Sequence, residues 1–301
     1  MLNFLQSLPS PIAQGMIWGI MAIGVYLTYK ILDLADLTVD GTLGTGGAVL
    51  VVLTTAHGVN IYLALFVAFL AGCIAGLATG VLHTKFGIPA ILAGILTQLA
   101  LYSINLRIMS GRANVTISWR NFDLIVSSNM LQIWHTILVA AIFVAVIIAM
   151  LYWFFGTELG HSIRATGSNQ NMAKANGINT DTRKIIGLVL SNGLVAIAGG
   201  LLAQFSGSAD INMGRGAIVI GLAAVIIGEV IFGKIFKNFA LKLLSAVLGS
   251  IIYYIVIAIV LKLGLNANDL KLFSAIVVAL FLGTPYWKSL VASKRLKTKE
   301  V

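Results

Sequence analysis

Long apolar stretches separated by short polar ones run through almost the whole chain. A helix that crosses a lipid bilayer needs about 20 mostly apolar residues, and stretches of this kind recur often enough to predict about nine transmembrane helices. The predicted spans are residues 10–30, 38–56, 61–83, 88–107, 131–155, 184–205, 215–233, 239–262 and 267–286. The pattern therefore predicts an all-α polytopic membrane protein, with residues 1–301 forming a single transmembrane domain.

The composition agrees with this fold class and excludes several others. Hydrophobic residues make up 59% of the chain and charged residues only 10%, whereas soluble proteins are roughly a quarter charged. The net charge of +10 does not indicate a nucleic-acid partner, because the cations lie in short loops and not on a solvated basic face. Cys73 is the sole cysteine, so no disulfide can form within the chain and no metal site is predicted. Since no Lys or Arg precedes Lys30, a cleavable signal peptide is not expected.

One long internal segment, residues 156–184, is polar and too hydrophilic to enter lipid. Ser168 is a suitable N-cap for a short surface helix over residues 169–176. Gly177 can adopt the left-handed conformation that ends a helix, and Ile178 can then fold back in a Schellman-like stop. A hydrophilic helix between two spans is a natural place for a membrane protein to contact a soluble partner.

The predicted helix carries a small apolar face formed by Met172, Ala173 and Ala175. This face is too small to build a core but suits docking into a groove on another protein. The alternative interpretation is an ordinary cytoplasmic loop with no partner.

Two segments that lead into predicted spans are unusual for lipid-facing helices. The first, residues 33–47, brings Asp40, Thr42 and Thr45 together with four glycines into the second span, and the other is residues 206–221. Polar groups and irregular backbone at membrane depth usually face protein or an aqueous path. The two segments therefore predict broken, Gly-rich spans in an inverted-repeat arrangement around a pathway.

The alternative for these glycines is close helix packing. Gly72, Gly76 and Gly80 recur at a spacing of four, which places them on one helix face and predicts such packing directly. The residue types alone do not decide between packing and a pathway for the two unusual segments.

The distribution of Lys and Arg predicts the orientation, because positively charged loops stay in the cytoplasm. With residues 156–184 inside, nine crossings place the N-terminus outside and the C-terminus inside. Residues 109–130 then form an interfacial segment outside, and residues 287–301 form a basic cytoplasmic tail. This orientation puts 14 of the 20 cations inside.

The sequence contains none of the enzymatic motifs considered below in complete form. Residues 228–234 read GEVIFGK, but Ile235 stands where a phosphate-binding loop needs the hydroxyl of Ser or Thr. The chain also lacks GxSxG and HExxH, so any ATP is expected to bind to another subunit. Glu229 is interpreted as an ion-pair partner of Lys234, with a proton relay as the alternative.

Several motifs resemble the permeases of bacterial ATP-binding cassette importers of the branched-chain amino acid and ribose type. The 156–184 segment is similar to their cytoplasmic coupling loop through Leu159-Gly160, Arg164-Ala165-Thr166-Gly167-Ser168-Asn169 and Gly177-Ile178. Asp36-Leu37-Thr38-Val39-Asp40-Gly41 resembles the Gly-rich stretch after an early helix, with Asp40 inserted. Residues 191–200 resemble the family's small-residue helix. The stretch around Asp40 looks closest to the tryptophan/tyrosine subgroup.

The resemblance implies a complete transport machine in a bacterial cell membrane. Two permease chains of identical sequence would form the pore. Two cytoplasmic ATPase subunits would bind ATP and Mg, so no cofactor is expected in this chain. An extracytoplasmic solute-binding protein or lipoprotein would deliver the solute. The expected solute is an amino acid, aromatic or branched-chain, while other amino acids and nucleoside-like solutes stay open.

The resemblance also implies roles for particular residues. The ATPase-coupling residues would be Arg164, Ala165, Thr166, Gly167, Asn169, Met172, Ala173, Ala175, Asn176, Gly177 and Ile178. The substrate-pathway residues would be Asp40, Thr42, Thr45, Asn192, Asp210 and Asn212.

Two other functions stay open from the residues alone. An ion-coupled secondary transporter would use the inverted repeat with Asp40 and Glu229 as coupling acids. A structural or signalling membrane subunit would need neither acid.

Overall fold

The computed structural model describes residues 8–118, 120–129 and 132–262, together with 272, 275–276, 278–280 and 283. Its helices are α1 (Pro9–Tyr26), α2 (Thr38–His57), α3 (Ile61–Thr84), α4 (Ala90–Ile108), α5 (Ile133–Phe155), α6 (Glu158–Ser168), α7 (Gln170–Ala175), α8 (Thr180–Ser206), α9 (Ala217–Phe232) and α10 (Phe239–Lys262). The helix α1 continues into a π-helical turn, Leu27–Ile31. The strands are β1 (Asn114–Thr116) and β2 (Ser208–Asp210).

Within these described residues, seven helices are long and apolar enough to cross a membrane. They are α1 with its π-helical turn, α2, α3, α4, α5, α8 and α10. This confirms the fold class, an all-α polytopic membrane protein. The expected ninth span, residues 267–286, and the tail at 287–301 lie outside the continuously described residues.

The expected seventh span, residues 215–233, is a shorter helix than predicted. The helix α9 has 16 residues, which gives a length of about 24 Å against a bilayer core of about 30 Å. It is short because Gly216, with φ of +84°, holds the preceding loop in a left-handed turn until the helix begins at Ala217. The non-helical connection between α8 and α9 is limited to residues 207–216 and includes β2, whereas residues 217–221 of the segment predicted as irregular belong to α9.

The corresponding prediction for residues 33–47 is wrong in one respect. The helix α2 is continuous from Thr38 to His57, and the irregular backbone is confined to residues 32–37. The glycines of α2 serve helix packing: a Cβ at Gly46 would collide with the carbonyl oxygen of Ala196 in α8. The packing interpretation therefore holds for the glycines of this span.

The helix α8 occupies the centre of the bundle, where it contacts α1, α2 and α3. Small residues let these backbones approach closely, as is common between membrane helices. A Cβ at Gly72 or Gly76 of α3 would collide with the carbonyl oxygens of Asn192 and Leu188. Packing through the glycines at spacing four is thereby confirmed.

The helix α1 also belongs to the interior, whereas α5 lies at the periphery. In α1, Ile17, Ile20 and Met21 are fully buried. In α5, large apolar side chains such as Trp134 and Met150 are exposed. A broad exposed apolar surface of this kind is expected where a helix faces lipid.

The ends of α4 and α8 are joined by a small two-stranded sheet that the all-α prediction did not include. Strands β1 and β2 pair antiparallel, with Val115 opposite Ala209. The chain after β1 folds back over α8, where the side-chain oxygen Oε1 of Gln204 accepts from the backbone N–H of Ile125 at 2.9 Å. We call this end of the bundle the sheet end and the opposite end, which carries residues 156–180, the loop end.

Candidate functional site

The 156–184 segment forms two helices where the sequence predicted one. The first is α6, whose N-cap Thr157 accepts from the backbone N–H of Gly160 at 3.4 Å. The second is α7, and its N-cap is Asn169 rather than the predicted Ser168. The side chain of Asn169 accepts from the backbone N–H of Met172 at 3.0 Å. Ser168 cannot take this role because it is the last residue of α6.

The predicted C-terminal stop of the short helix is confirmed in detail. Gly177 has φ of +77°, and its N–H donates to the carbonyl oxygen of Lys174 at 3.0 Å. The N–H of Ile178 donates to the carbonyl oxygen of Ala173 at 3.0 Å. These two bonds make up the Schellman motif, so α7 is held firmly at both ends although it has only six residues.

The exposure of the predicted coupling residues separates them into three groups. Met172 is 52% exposed, whereas Ala173 is fully buried, so Ala173 does not belong to the apolar docking face that the sequence predicted. Arg164, Asn169, Ala175, Asn176 and Gly177 are exposed with Met172, while Thr166 is buried with Ala173. Three residues are half-buried: Ala165, Gly167 and Ile178.

The helix α6 lies directly on the ends of two long helices. A Cβ at Gly167 would collide with the carbonyl oxygen of Ile31, at the end of the π-helical turn. On another side, the guanidinium of Arg164 lies 4.7 Å from the ring centroid of Phe239, the first residue of α10. A cation over an aromatic face is attracted by the ring quadrupole. A displacement of α6 would therefore reach both α1 and α10.

A second link joins α7 to the central helix. The ammonium nitrogen of Lys184 donates to the side-chain oxygen of Gln170 at 3.1 Å. Because Gln170 is the first residue of α7 and Lys184 lies in the second turn of α8, the loop-end helices are tied to the core of the bundle.

Two of the predicted pathway residues meet in the interior. The hydroxyl of Thr42 donates to the side-chain oxygen of Asn192 at 2.8 Å, and both side chains are fully buried. The amide nitrogen of Asn192 donates to Oδ2 of Asp36 at 2.7 Å. Asp36 was not predicted as a site residue, although its position directly before a Gly-rich span could have indicated one. The three side chains form a closed polar cluster between α2 and α8.

The polar cluster extends to two further helices. Oδ1 of Asp36 accepts from the backbone N–H of Thr38 at 2.9 Å, and the hydroxyls of Thr38 and Thr79 lie 2.7 Å apart. Thr79 in turn donates to the hydroxyl of Thr97 at 2.9 Å. Burial raises the pKa of the Asp36 carboxyl, and the hydrogen bonds from Thr38 and Asn192 oppose the shift only in part.

Asp40 lies at the junction of two helices. Its Oδ2 accepts from the backbone N–H of Gly216 at 2.9 Å, and its Oδ1 accepts from that of Ile218 at 2.8 Å. These groups belong to the first turn of α9, whose N–H groups have no partner within the helix. Asp40 therefore caps α9 from another helix.

The other predicted pathway residues lie apart from this junction. The hydroxyl of Thr45 donates to the carbonyl oxygen of Gly41 within α2 at 3.1 Å. Asp210 accepts from the backbone N–H of Asn212 at 2.7 Å, in a turn after β2. These bonds are local, so the six predicted residues do not form one continuous cluster in this conformation.

The predicted ion pair of Glu229 with Lys234 is wrong. Glu229 pairs with Lys30, whose ammonium nitrogen lies 2.7 Å from Oε2. The pair joins the end of α9 to the π-helical turn after α1. Its side chains are 36% and 53% exposed, so the pair contributes at most about 1 kcal/mol to stability.

A polar cavity lies beside the cap of α9. The sequence did not predict it. It has a volume of about 380 Å³, and we call it the α4 cavity. Its lining residues are Asp40, Gly41, Gln98, Leu99, Tyr102, Asn105, Ile211 and Arg215. Gln98 and Asn105 lie seven residues apart in an apolar helix, and this spacing on one helix face was the signal that could have identified the site.

A bundle of apolar helices with a polar interior and an exposed short helix between two spans is an architecture typical of membrane transport proteins. The family described as the permease component of branched-chain amino acid transport systems matches residues 9–285. The chain belongs to this family of permease components. The family assignment made from the sequence motifs is thereby confirmed.

Individual relatives agree with this assignment. The chain is 42% identical over 275 residues to a tyrosine transport system permease protein of Clostridioides difficile, covering 91% of this chain and 90% of the relative. It is 35% identical to an uncharacterized protein of Rickettsia prowazekii, covering 90% and 95% of the two chains. A ribose import permease protein of Haemophilus influenzae is 26% identical, with 70% of this chain and 64% of the relative covered.

Proposed function

We propose that this chain is the pore-forming subunit of an ATP-driven importer, and that α6 and α7 transmit force from a separate cytoplasmic ATPase. The observation that carries the proposal is the exposed side chain of Met172 on a short helix fixed by Asn169 and Gly177. A rigid helix with an exposed apolar anchor fits a groove on a partner protein.

The route of the force follows the contacts of α6 and α7. Movement of α6 would press on Ile31 through Gly167 and on Phe239 through Arg164. Movement of α7 would pull on α8 through Gln170 and Lys184. Asn192 of α8 is hydrogen-bonded to Asp36 and Thr42 in the polar cluster. The same motion would therefore change the packing in the interior of the bundle.

The meeting of two helix starts supports the inverted-repeat arrangement around a pathway. The helix α2 begins beside Asn192, about 18 Å along α8 from its start at Thr180, so its first turn lies inside the bundle. The first turn of α9 meets α2 at Asp40. Helix starts that converge from opposite ends of a bundle are typical of transporter pathways.

We infer that the solute is an amino acid, with an aromatic amino acid such as tyrosine favoured over a branched-chain one. The tyrosine permease of C. difficile is 42% identical over 91% of this chain, and the ribose permease is 26% identical over 70%. The higher and more complete identity supports an amino acid over a sugar.

The complete importer would contain further subunits. We expect two copies of this permease, two cytoplasmic ATPase subunits that bind ATP and Mg, and an extracytoplasmic solute-binding protein. The residues 156–180 would face the cytoplasm, and the C-terminus would lie on the same side. The N-terminus would lie outside, in the membrane of a bacterial cell.

The alternative, an ion-coupled secondary transporter, gains no support from its two proposed coupling acids. Both oxygens of Asp40 accept backbone hydrogen bonds, and Glu229 forms an ion pair with Lys30. Uptake driven by an ion gradient in vesicles that contain no ATPase would nevertheless establish this alternative and overturn the importer.

The importer is tested by two substitutions at one position. Met172→Glu places a charge on the docking face, and we expect ATP-driven uptake to fall by about tenfold because the apolar contact is lost. Met172→Leu keeps an apolar side chain of similar size and should retain uptake. Both variants should unfold at the temperature of the wild type, since Met172 is exposed. Equal uptake by the two variants would contradict the proposed docking face.

The substitution Ala173→Arg is a poor test of docking. Ala173 is fully buried, so a large charged side chain there would disrupt the packing of α7 on its own chain. Loss of uptake in this variant would not distinguish failed docking from failed folding.

A further inference from the structure

The α4 cavity contains a buried acceptor with no partner. Asn105 is 2% exposed, and its Oδ1 has no hydrogen-bond partner among the described residues. Its amide nitrogen donates to the carbonyl oxygen of Gly41 at 3.4 Å, which fixes the amide with the oxygen as the unpaired atom. Since a buried polar atom without a partner is costly, a ligand that donates a hydrogen bond there would be bound favourably.

The same cavity contains a cation with no partner. Within the described part of the chain, the guanidinium of Arg215 forms neither a hydrogen bond nor an ion pair, and it lines the α4 cavity. Asp40, the acid in the lining, directs its two oxygens to backbone N–H groups of α9. The arginine is therefore available for a carboxylate, which it can bind through two parallel hydrogen bonds.

The wall of the cavity also offers an apolar surface. Leu99 is 64% exposed and Tyr102 is 44% exposed, and both line the α4 cavity. Aromatic rings favour offset or edge-to-face contact with another ring. The cavity volume of about 380 Å³ lies within the range of about 300–1,000 Å³ that is usual for small-molecule sites.

We propose that the α4 cavity binds the zwitterionic head group of an aromatic amino acid. Arg215 binds the α-carboxylate, Oδ1 of Asn105 accepts from the α-ammonium, and the side chain lies along Tyr102 and Leu99. This inference rests on the proposed function, because it assigns to the importer a permease site that selects the head group of the solute.

The test measures direct binding to the purified full-length permease in lipid nanodiscs, without an ATPase or a receptor. The probes are L-tyrosine, tyramine, which lacks the carboxylate, 3-(4-hydroxyphenyl)propionate, which lacks the ammonium, and D-ribose. We expect tyramine and 3-(4-hydroxyphenyl)propionate each to bind about tenfold more weakly than L-tyrosine, because each loses a charge-assisted hydrogen bond. D-ribose should not compete with L-tyrosine.

A thermodynamic cycle then isolates the carboxylate contact. It combines one substitution in the protein with removal of the carboxylate from the ligand, by the logic of a double-mutant cycle. Arg215→Gln should weaken L-tyrosine binding by about tenfold and leave tyramine binding unchanged, so that the preference for the carboxylate disappears. Arg112→Gln is the matched control, since Arg112 is an exposed cation at the sheet end and does not line the cavity. It should retain the wild-type preference.

The ammonium contact is tested by Asn105→Leu together with a folding control. This variant should weaken L-tyrosine binding while leaving 3-(4-hydroxyphenyl)propionate binding unchanged. If its unfolding temperature falls so far that the protein cannot be purified, the Arg215→Gln cycle decides alone, because Arg215 is exposed and its substitution should leave the fold intact.

Several outcomes would overturn the proposal. Absence of L-tyrosine binding by the wild type would do so, as would competition by D-ribose or equal weakening of L-tyrosine and tyramine in Arg215→Gln. None of these results bears on ATP-driven uptake. The importer is judged by the Met172 variants, so failure of the α4 cavity and failure of the proposed function are distinguishable.

Discussion

The carboxyl group of Asp36 lies where α2 and α8 meet, only 2% exposed. Asn192 and the backbone of Thr38 donate to its two oxygens. A buried acid is tolerated when its hydrogen bonds are satisfied, and removing one partner leaves a costly unpaired group. Asp36 therefore orders the polar cluster that joins the irregular residues 32–37 to the central helix.

The raised pKa of Asp36 predicts a pH dependence of stability. Because the folded protein holds the proton at pH values where the unfolded chain releases it, this group stabilises the fold at low pH. Its contribution is lost as the pH rises from the ordinary carboxyl range through the raised pKa. We expect the unfolding temperature of Asp36→Asn, measured against pH, to lack this decline relative to the wild type. Parallel pH profiles for the two proteins would contradict the assignment.

The close backbone contact at Gly46 predicts that replacing this glycine by alanine lowers the stability of the fold. Gly46→Ala adds a Cβ that collides with the carbonyl oxygen of Ala196, and we expect a loss of roughly 1–3 kcal/mol of stability. Gly44→Ala is the matched control, because its Cβ would lie 3.3 Å from the nearest atom, a side-chain nitrogen of Asn105. In both variants Ala gains about 1 kcal/mol of helix propensity.

Denaturant unfolding of the two glycine variants in detergent measures the difference. Since the propensity gain is the same for both, any difference reports the contact with α8. Equal stability of Gly44→Ala and Gly46→Ala would show that α2 can move away from α8 without cost.

At the scale of elements, α9 depends on a residue from a distant part of the chain. Its first turn supplies N–H groups to both oxygens of Asp40 in α2. An acid at a helix N-terminus is also favoured by the helix dipole. The start of α9 is thus coupled to the position of α2.

This coupling predicts a local effect of Asp40→Ala. We expect the backbone N–H groups of residues 216–220 to exchange hydrogen faster with solvent, because a lost cap costs typically about 1 kcal/mol. Asp40→Asn retains an acceptor and should show a smaller increase. Hydrogen exchange read by mass spectrometry measures both variants, and the N-terminal turn of α3, which is capped by Asn60, serves as the internal control. Unchanged exchange at 216–220 would contradict the capping role.

Local features of the elements could be predicted from the sequence, and features set by packing could not. The stop at Gly177 depends on residues within one turn, so its chemistry is readable from the chain. The partner of Glu229 is Lys30, and no local rule selects a partner so distant in sequence. Ala173 fits an apolar face by spacing, but its burial depends on how α7 lies on its neighbours.

The candidate site likewise contains residues that could be predicted from the sequence and contacts that could not. Thr42 and Asn192 were predicted as substrate-pathway residues, and their mutual hydrogen bond depends on the register between α2 and α8. That register is set by glycines such as Gly46, whose contact with α8 only the packed structure reveals. The α4 cavity was missed because its residues come from three separate parts of the chain.

At the scale of the whole molecule, most of the Lys and Arg side chains of the described residues lie at one end of the bundle. Lys30 lies beside the end of α9, Arg164 contacts the start of α10, and Lys184 is bonded to α7. All three belong to the loop end. Positively charged loops remain in the cytoplasm during membrane insertion, so the loop end is expected to face the cell interior.

This orientation is tested by cysteine accessibility in intact cells. Cys73 is half-buried and is replaced by Ser to give a background without thiols. We expect Arg112→Cys at the sheet end to react with a membrane-impermeant maleimide added outside the cells. Lys85→Cys and Lys174→Cys at the loop end should react only after permeabilisation, and all three positions are exposed, so burial cannot explain protection. Labelling of Lys174→Cys in intact cells would place α7 outside, where no ATPase could dock, and the importer mechanism would fail with it.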